Sequence, residues 1–162
     1  MKKTRMLTVL SATVAAAMLL SFIESLIPSF IPVPGVKLGL ANAAVIFAMY
    51  KLGEAKAAAV SLVRVALSAL LFGSAASLIY SLSGAVFSFL LMVVSRRIFK
   101  LHTVGVSVLG GVAHNLGQIT AAAIVMGTAS IVYYLPVLIF SGTIAGITVG
   151  LASNELIKRI KI

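Results

Sequence analysis

The side chains that could do chemistry are few, and most are polar residues set inside long apolar stretches. Glu24 and Arg64 each interrupt such a stretch, and His114, Asn115 and Gln118 stand together in another. Residues three and four positions apart share one face of a helix, so the last three residues point to one side. An ionisable residue inside a membrane span is costly and is by default a functional candidate. This set predicts a binding site within a membrane.

Lys37 and Asn42 follow the proline-rich stretch at 28–35 and are expected to approach the same region from a loop. We predict that Lys37 and Arg64 attract an anionic group of a small-molecule ligand, such as a carboxylate or a phosphate. Glu24 is predicted to pair with Arg64 or with a cationic group of the ligand. Three amide side chains are predicted to fix its orientation by hydrogen bonds: Asn42, Asn115 and Gln118.

The same residues also have purely structural interpretations. Glu24 and Arg64 fit a buried ion pair that only orders the protein. Asn115 and Gln118 fit hydrogen bonds between neighbouring helices. The concentration of polar groups toward one side of the membrane favours a pocket, because hydrogen bonds between helices do not require that placement.

Several classes of site are excluded by what the sequence lacks. The chain has no cysteine and no aspartate, so neither thiolate metal sites nor the Asp-rich magnesium motifs of prenyltransferases can form. His114 has no second histidine nearby, and no Walker A pattern is present. We therefore predict no metal, no cofactor and no catalytic residue, and any ATP hydrolysis would come from a partner.

The elements that must position these residues are apolar helices. The 162 residues are 61% hydrophobic and only 10% charged, which excludes a soluble enzyme, a disordered tail and a soluble nucleic-acid binder. Because a membrane-crossing helix needs about 20 apolar residues, we predict an all-α, polytopic bundle of six transmembrane helices in one domain, 1–162. The predicted helices are 6–27, 38–50, 55–72, 75–98, 104–126 and 131–157, of which the second is too short for a simple span.

The basic residues predict the orientation. With the N-terminus in the cytoplasm, six spans return the C-terminus there, and eleven of the thirteen basic residues lie on the cytoplasmic side, as the positive-inside rule expects. These clusters need no nucleic-acid partner. The N-terminal Lys2, Lys3 and Arg5 with the following apolar run also fit a cleaved signal peptide, but the first helix is the favoured interpretation. We expect a multi-pass protein of the cell membrane.

Two motifs carry a family resemblance. The segment Pro-Gly-Val-Lys-Leu-Gly-Leu-Ala-Asn at 34–42 and the pattern Gly-x-x-His-Asn-x-x-Gln at 111–118 resemble the Gx transporter family. That family is also described as heptaprenyl diphosphate synthase component I, and it is similar to the substrate-binding S-components of energy-coupling-factor (ECF) transporters. The latter resemblance implies a six-helix protein with an outward pocket. It also implies that Ala12 and Ala16, an Ala-x-x-x-Ala face on the first helix, dock a membrane coupling subunit.

The two family descriptions imply different functions. The transporter description implies a subunit that captures a vitamin- or cofactor-related ligand and works with an ECF coupling subunit and ATPases. The synthase description implies a non-catalytic accessory subunit that works with a prenyl diphosphate synthase in menaquinone-type isoprenoid synthesis. A third interpretation is an autonomous ion- or proton-coupled carrier that uses Glu24 and His114.

Overall fold

The computed structural model describes residues 3–27 and 39–160, and Lys37 lies outside these described residues. Within them the chain forms only helices. The helices are α1 (Lys3–Leu26), α2 (Asn42–Lys51), α3 (Glu54–Phe72), α4 (Ala75–Arg97), α5 (Thr103–Met126) and α6 (Leu135–Arg159), with a short 3₁₀ helix (Ser130–Tyr134) before α6. The prediction of an all-α protein is confirmed.

Five of the described helices are long and apolar enough to cross a membrane: α1, α3, α4, α5, and the 3₁₀ helix continued by α6. Their outward side chains are largely apolar, as lipid contact requires, with Leu70 79%, Ile124 76% and Phe140 69% exposed. Helix α2 has 10 residues, about 15 Å at 1.5 Å per residue, which is half the hydrocarbon thickness. The expectation that the second helix is too short for a simple span is confirmed.

Contacts between neighbouring helices give their directions. Helices α1 and α3 run parallel, because Ser68 contacts Met18 and the Phe72 ring lies 5.2 Å from that of Phe22. Helices α4 and α5 are antiparallel, as are α5 and α6. The first turns of α1 and the last turn of α6 lie at the same end of the bundle, where Arg5 of α1 and Ile160 after α6 line one groove.

Glycines bring α4, α5 and α6 into backbone contact. A Cβ atom on Gly146 of α6 would lie 2.5 Å from the Cα of Val108 on α5. A Cβ on Gly117 of α5 would lie 2.8 Å from the carbonyl oxygen of Ser83 on α4. Small residues permit such approach between membrane helices, and the row Gly142, Gly146 and Gly150 of α6 packs closely against α5 inside this bundle.

The two halves of the bundle differ in how they are filled. Helix α2 packs against α1, α3 and α6, and it is buried on every side from Ala43 to Met49. With Val60, Met92 and Val106 it forms the apolar core of one half. Because α2 is short, it does not reach the other half, where the described residues include no central helix, and this second half contains the candidate site.

The basic residues gather at the end of the bundle that α2 fills. Arg96 at the end of α4 donates a hydrogen bond to the carbonyl of Met49 (2.9 Å) and lies over the Tyr50 ring. The neighbouring Arg97 contacts Glu54 at the start of α3 at 2.6 Å. Nine of the ten described cations lie at this end, and the tenth is Arg64. The end is defined by the first residues of α1 and α3 and the last of α2, α4 and α6.

Candidate functional site

The half of the bundle that α2 does not reach contains a partly open cavity of about 190 Å³. Its walls come from α1, α3, α4, α5 and α6, and the first residue of α2 forms part of it. Six of the seven ligand-binding residues predicted from the sequence line this cavity: Glu24, Asn42, Arg64, His114, Asn115 and Gln118. The seventh, Lys37, is outside the described residues.

Arg64 enters the cavity from the middle of α3. Its Nη2 donates to the Asn42 side-chain oxygen at 3.5 Å, and it lies within Coulombic reach of Glu24. The Arg64 Nε atom is buried and has no hydrogen-bond partner among the described residues. A buried cationic donor without a partner is costly, so this group is available to an anion in the cavity.

Glu24 holds the chain that leads into α2. Its carboxylate accepts a hydrogen bond from the backbone N–H of Gly39. Gly39 has φ +68°, a left-handed conformation that favours glycine, and its carbonyl accepts the N–H of Asn42 at 2.9 Å. Glu24 therefore fixes where α2 begins. The N-terminus of α2, with the positive end of the helix dipole, thereby lies at the cavity wall.

The amides of Asn115 and Gln118 share a helix face but differ in their partners. Asn115 Nδ2 donates to the carbonyl of Leu138 on α6 at 2.7 Å, so this amide links two helices. Gln118 is 8% exposed, and its Oε1 has no hydrogen-bond partner within the described ranges. Gln118 Oε1 can therefore accept a hydrogen bond from a ligand N–H or O–H group, whereas the Nδ2 of Asn115 already donates to the protein backbone.

His114 packs on the α4 side of the cavity. A Cβ atom on Gly84 would lie 3.0 Å from the His114 Cε1 and 2.8 Å from the Gln118 Cγ. Gly84 is therefore the residue that lets these two side chains lie between α4 and α5. Among the described residues, no group of three or more histidine, cysteine or acidic side chains could hold a metal ion.

Sequence reasoning missed the serines of the cavity. Six contribute to its wall: Ser21, Ser25, Ser68, Ser77, Ser81 and Ser107. The one sequence feature that could have indicated them is the helical spacing of Ser77 and Ser81, which share a row with Gly84 and Ser88. That row predicts close helix packing, which holds for Gly84 and Ser88, whereas Ser77 and Ser81 face the cavity.

The predicted docking residues lie elsewhere. Ala12 and Ala16 are exposed on α1 and line a separate, largely apolar groove of about 440 Å³ in the half that α2 fills. Thr13 and Ala17, one position further along, are the buried residues of this helix. The Ala-x-x-x-Ala face is therefore turned away from the α1 core contacts and toward the outside of the bundle.

Fold and site together define a polytopic helical membrane protein with a small polar cavity inside the bundle. Residues 13–156 match the family described as heptaprenyl diphosphate synthase component I, and the chain belongs to that family. The resemblance predicted from the sequence is confirmed for this description. The search of curated proteins and the search of solved structures returned no match.

Proposed function

We propose that this protein is the non-catalytic membrane subunit of a heptaprenyl diphosphate synthase and that its cavity binds a small anionic ligand. The family match over residues 13–156 carries the first part of this proposal. A component of a synthase need not itself hold the catalytic groups. The chain contains no aspartate for a magnesium-diphosphate site, so the chemistry belongs to a partner subunit.

The ligand chemistry follows from the charges of the cavity. Arg64 and the α2 N-terminus present positive charge to one region, and both favour a phosphate or carboxylate group. Asn42 and Gln118 then orient the ligand by hydrogen bonds, while Glu24 positions α2 and His114 closes the α4 side. In this proposal Lys37 binds the same anion, and Asn115 forms part of the cavity wall.

The size of the cavity limits the ligand. Drug-sized ligands occupy pockets of roughly 300–1,000 Å³, and this cavity has about 190 Å³. A heptaprenyl chain does not fit inside it. The ligand of this site is therefore a small polar anion or the diphosphate end of a longer molecule whose chain lies outside.

We further propose that the chain crosses the cell membrane six times with both termini in the cytoplasm. Five of the crossings would be the long helices, and the sixth would lie between α1 and α3, where the chain contains the short helix α2. The parallel run of α1 and α3 supports this topology, because an additional crossing must separate two parallel spans. The cations at one end of the bundle support the orientation through the positive-inside rule.

Co-purification tests the synthase proposal. The tagged membrane protein is co-expressed with the catalytic prenyl diphosphate synthase of the same organism and is extracted in mild detergent. We expect the synthase to be retained in a fixed ratio and its product to lengthen or its rate to rise in the complex. Absence of both retention and any change in product would contradict the proposal.

A second candidate is the substrate-capturing subunit of an uptake transporter. The exposed Ala12 and Ala16 favour it, because small residues on an outer helix face allow a second membrane subunit to approach closely. The same purification distinguishes the two candidates. An ECF-type coupling subunit and two ATPases in place of the synthase, with ATP-dependent uptake of a vitamin in proteoliposomes, would establish the transporter.

A further inference from the structure

The groove beside Ala12 and Ala16 is chemically unlike the cavity. It lies between α1 and α6, with α2 as its floor, and its walls include Val9, Ala44, Phe47 and Leu156. The groove also has two threonines, Thr8 and Thr13. Their hydroxyls donate to carbonyls of their own helix, at 3.1 Å and 2.7 Å, so they are already satisfied. The groove therefore presents an apolar surface along its length.

The charge of the groove is confined to one end. Arg5 is the single charged residue among the described residues that line it, and its side chain is exposed. The last turn of α6 brings Lys158 and Arg159 to the same end of the bundle. An apolar channel that ends in cations matches an amphiphile with a hydrocarbon chain and an anionic head group.

The dimensions favour a chain over a helix as the occupant. The groove follows α1 from Arg5 to Leu20, fifteen residues or roughly 22 Å at 1.5 Å per residue. Its volume of about 440 Å³ gives a mean cross-sectional area of roughly 20 Å² over that length. This area is close to the cross-sectional area of one extended hydrocarbon chain. A helix of about 10 Å diameter could place only part of one face in a groove of this width.

We propose that this groove binds one acyl chain of an anionic membrane phospholipid, whose head group is held by Arg5. The proposal does not depend on the ligand of the cavity or on the synthase. The lipid would cover the gap between α1 and α6 and would hold α1 against the bundle, since α1 contacts the rest of the protein chiefly through α2 and α3.

Native mass spectrometry of delipidated protein tests this assignment with two probes, phosphatidylglycerol and phosphatidylcholine with the same acyl chains. We expect phosphatidylglycerol to be retained preferentially. Because a basic residue near the surface contributes about 1 kcal/mol to binding an anionic lipid, Arg5→Gln should lower that preference about fivefold. Lys3→Gln, at an exposed position outside the groove, is the matched control and should leave the preference unchanged.

Two leucine variants test the groove itself. Ala16→Leu fills it and should abolish tight retention of either lipid, whereas Ala15→Leu adds the same side chain to an exposed position of α1 outside the groove. Equal effects of the two variants would overturn the proposal, as would equal retention of the two lipids by the parent protein. Unchanged lipid retention in Ala16→Leu with loss of a co-purifying membrane protein would assign the groove to a partner helix instead.

Discussion

Asn115 on α5 donates its side-chain N–H to the backbone carbonyl of Leu138 on α6, at 2.7 Å. The contact lies at the edge of the cavity and joins two helices that otherwise meet through glycine. Gln118, one turn further along α5, makes no such link through its Oε1 within the described part of the chain. Two amides with the same predicted role thus differ in whether their polar atoms already have hydrogen-bond partners in the protein.

This difference predicts opposite outcomes for two substitutions. Asn115→Ala should destabilise the protein by about 0.6 kcal/mol, the average for hydrogen bonds between membrane helices, and by no more than about 1.7 kcal/mol, the largest such value. Gln118→Leu removes an unsatisfied buried acceptor and should leave stability unchanged or raise it, while it weakens ligand binding. Unfolding in detergent with and without inorganic diphosphate measures both effects. Equal losses of stability would contradict the division of roles.

Arg64 is predicted to supply most of the anion affinity. Charge-assisted hydrogen bonds contribute about 1.5–3 kcal/mol, so Arg64→Gln should weaken diphosphate binding by about 10- to 150-fold. Arg97→Gln is the matched control, because Arg97 is an exposed cation at the other end of the bundle. Binding is measured by the ligand-induced rise in melting temperature. A comparable loss in the control would indicate non-specific attraction to the whole basic protein.

The glycine contacts predict strong position dependence within the helices. Gly146→Ala would place its Cβ 2.5 Å from the Val108 Cα, so α5 and α6 must separate, and we expect a loss of about 1–3 kcal/mol. Gly105→Ala would have the Leu101 Cβ as its nearest neighbour, at 3.3 Å, so a shift of a few tenths of an ångström would suffice and its effect should be smaller. Thermal unfolding compares the two variants. Similar melting temperatures would show that the helices have room to adjust.

The proposed topology predicts which sites a membrane-impermeant thiol reagent can reach. The chain has no cysteine, so single cysteines report without background. Ser130→Cys, before α6, should react in intact cells, whereas Lys100→Cys, after α4, should react only after the membrane is opened. The reverse pattern would place the basic end outside.

The sequence predicted the helices well, and six of the predicted site residues line one cavity, because each prediction rests on a local signal. An apolar run that ends at a charged residue or a glycine indicates a helix. A polar residue within such a run, such as Arg64 or Gln118, is predicted to face the interior of the bundle. The start of α6 was less predictable. The apolar residues 131–134 belong to the sixth span as predicted, but the span begins as a 3₁₀ helix and is α-helical only from Leu135, with Pro136 in the first turn of α6.

The partners of the site residues could not be predicted, because they depend on how the helices meet. Glu24 was expected to pair with Arg64 or a ligand cation, and its carboxylate also binds the Gly39 N–H, a backbone group that has no sequence signature. The serines of the cavity were missed for a related reason. A small residue on a helix serves equally for packing or for lining a pocket, and only the position of the adjacent helix distinguishes the two.

The backbone contacts among α4, α5 and α6 have a mechanical consequence. Three helices whose backbones approach closely at glycines have little room to shift against one another, so we expect them to move together. Relative movement is then expected on the other side of the cavity, which α1 and the start of α2 line. On that side, the hydrogen bond from the Gly39 N–H to the Glu24 carboxylate is the contact that joins α1 to the segment leading into α2.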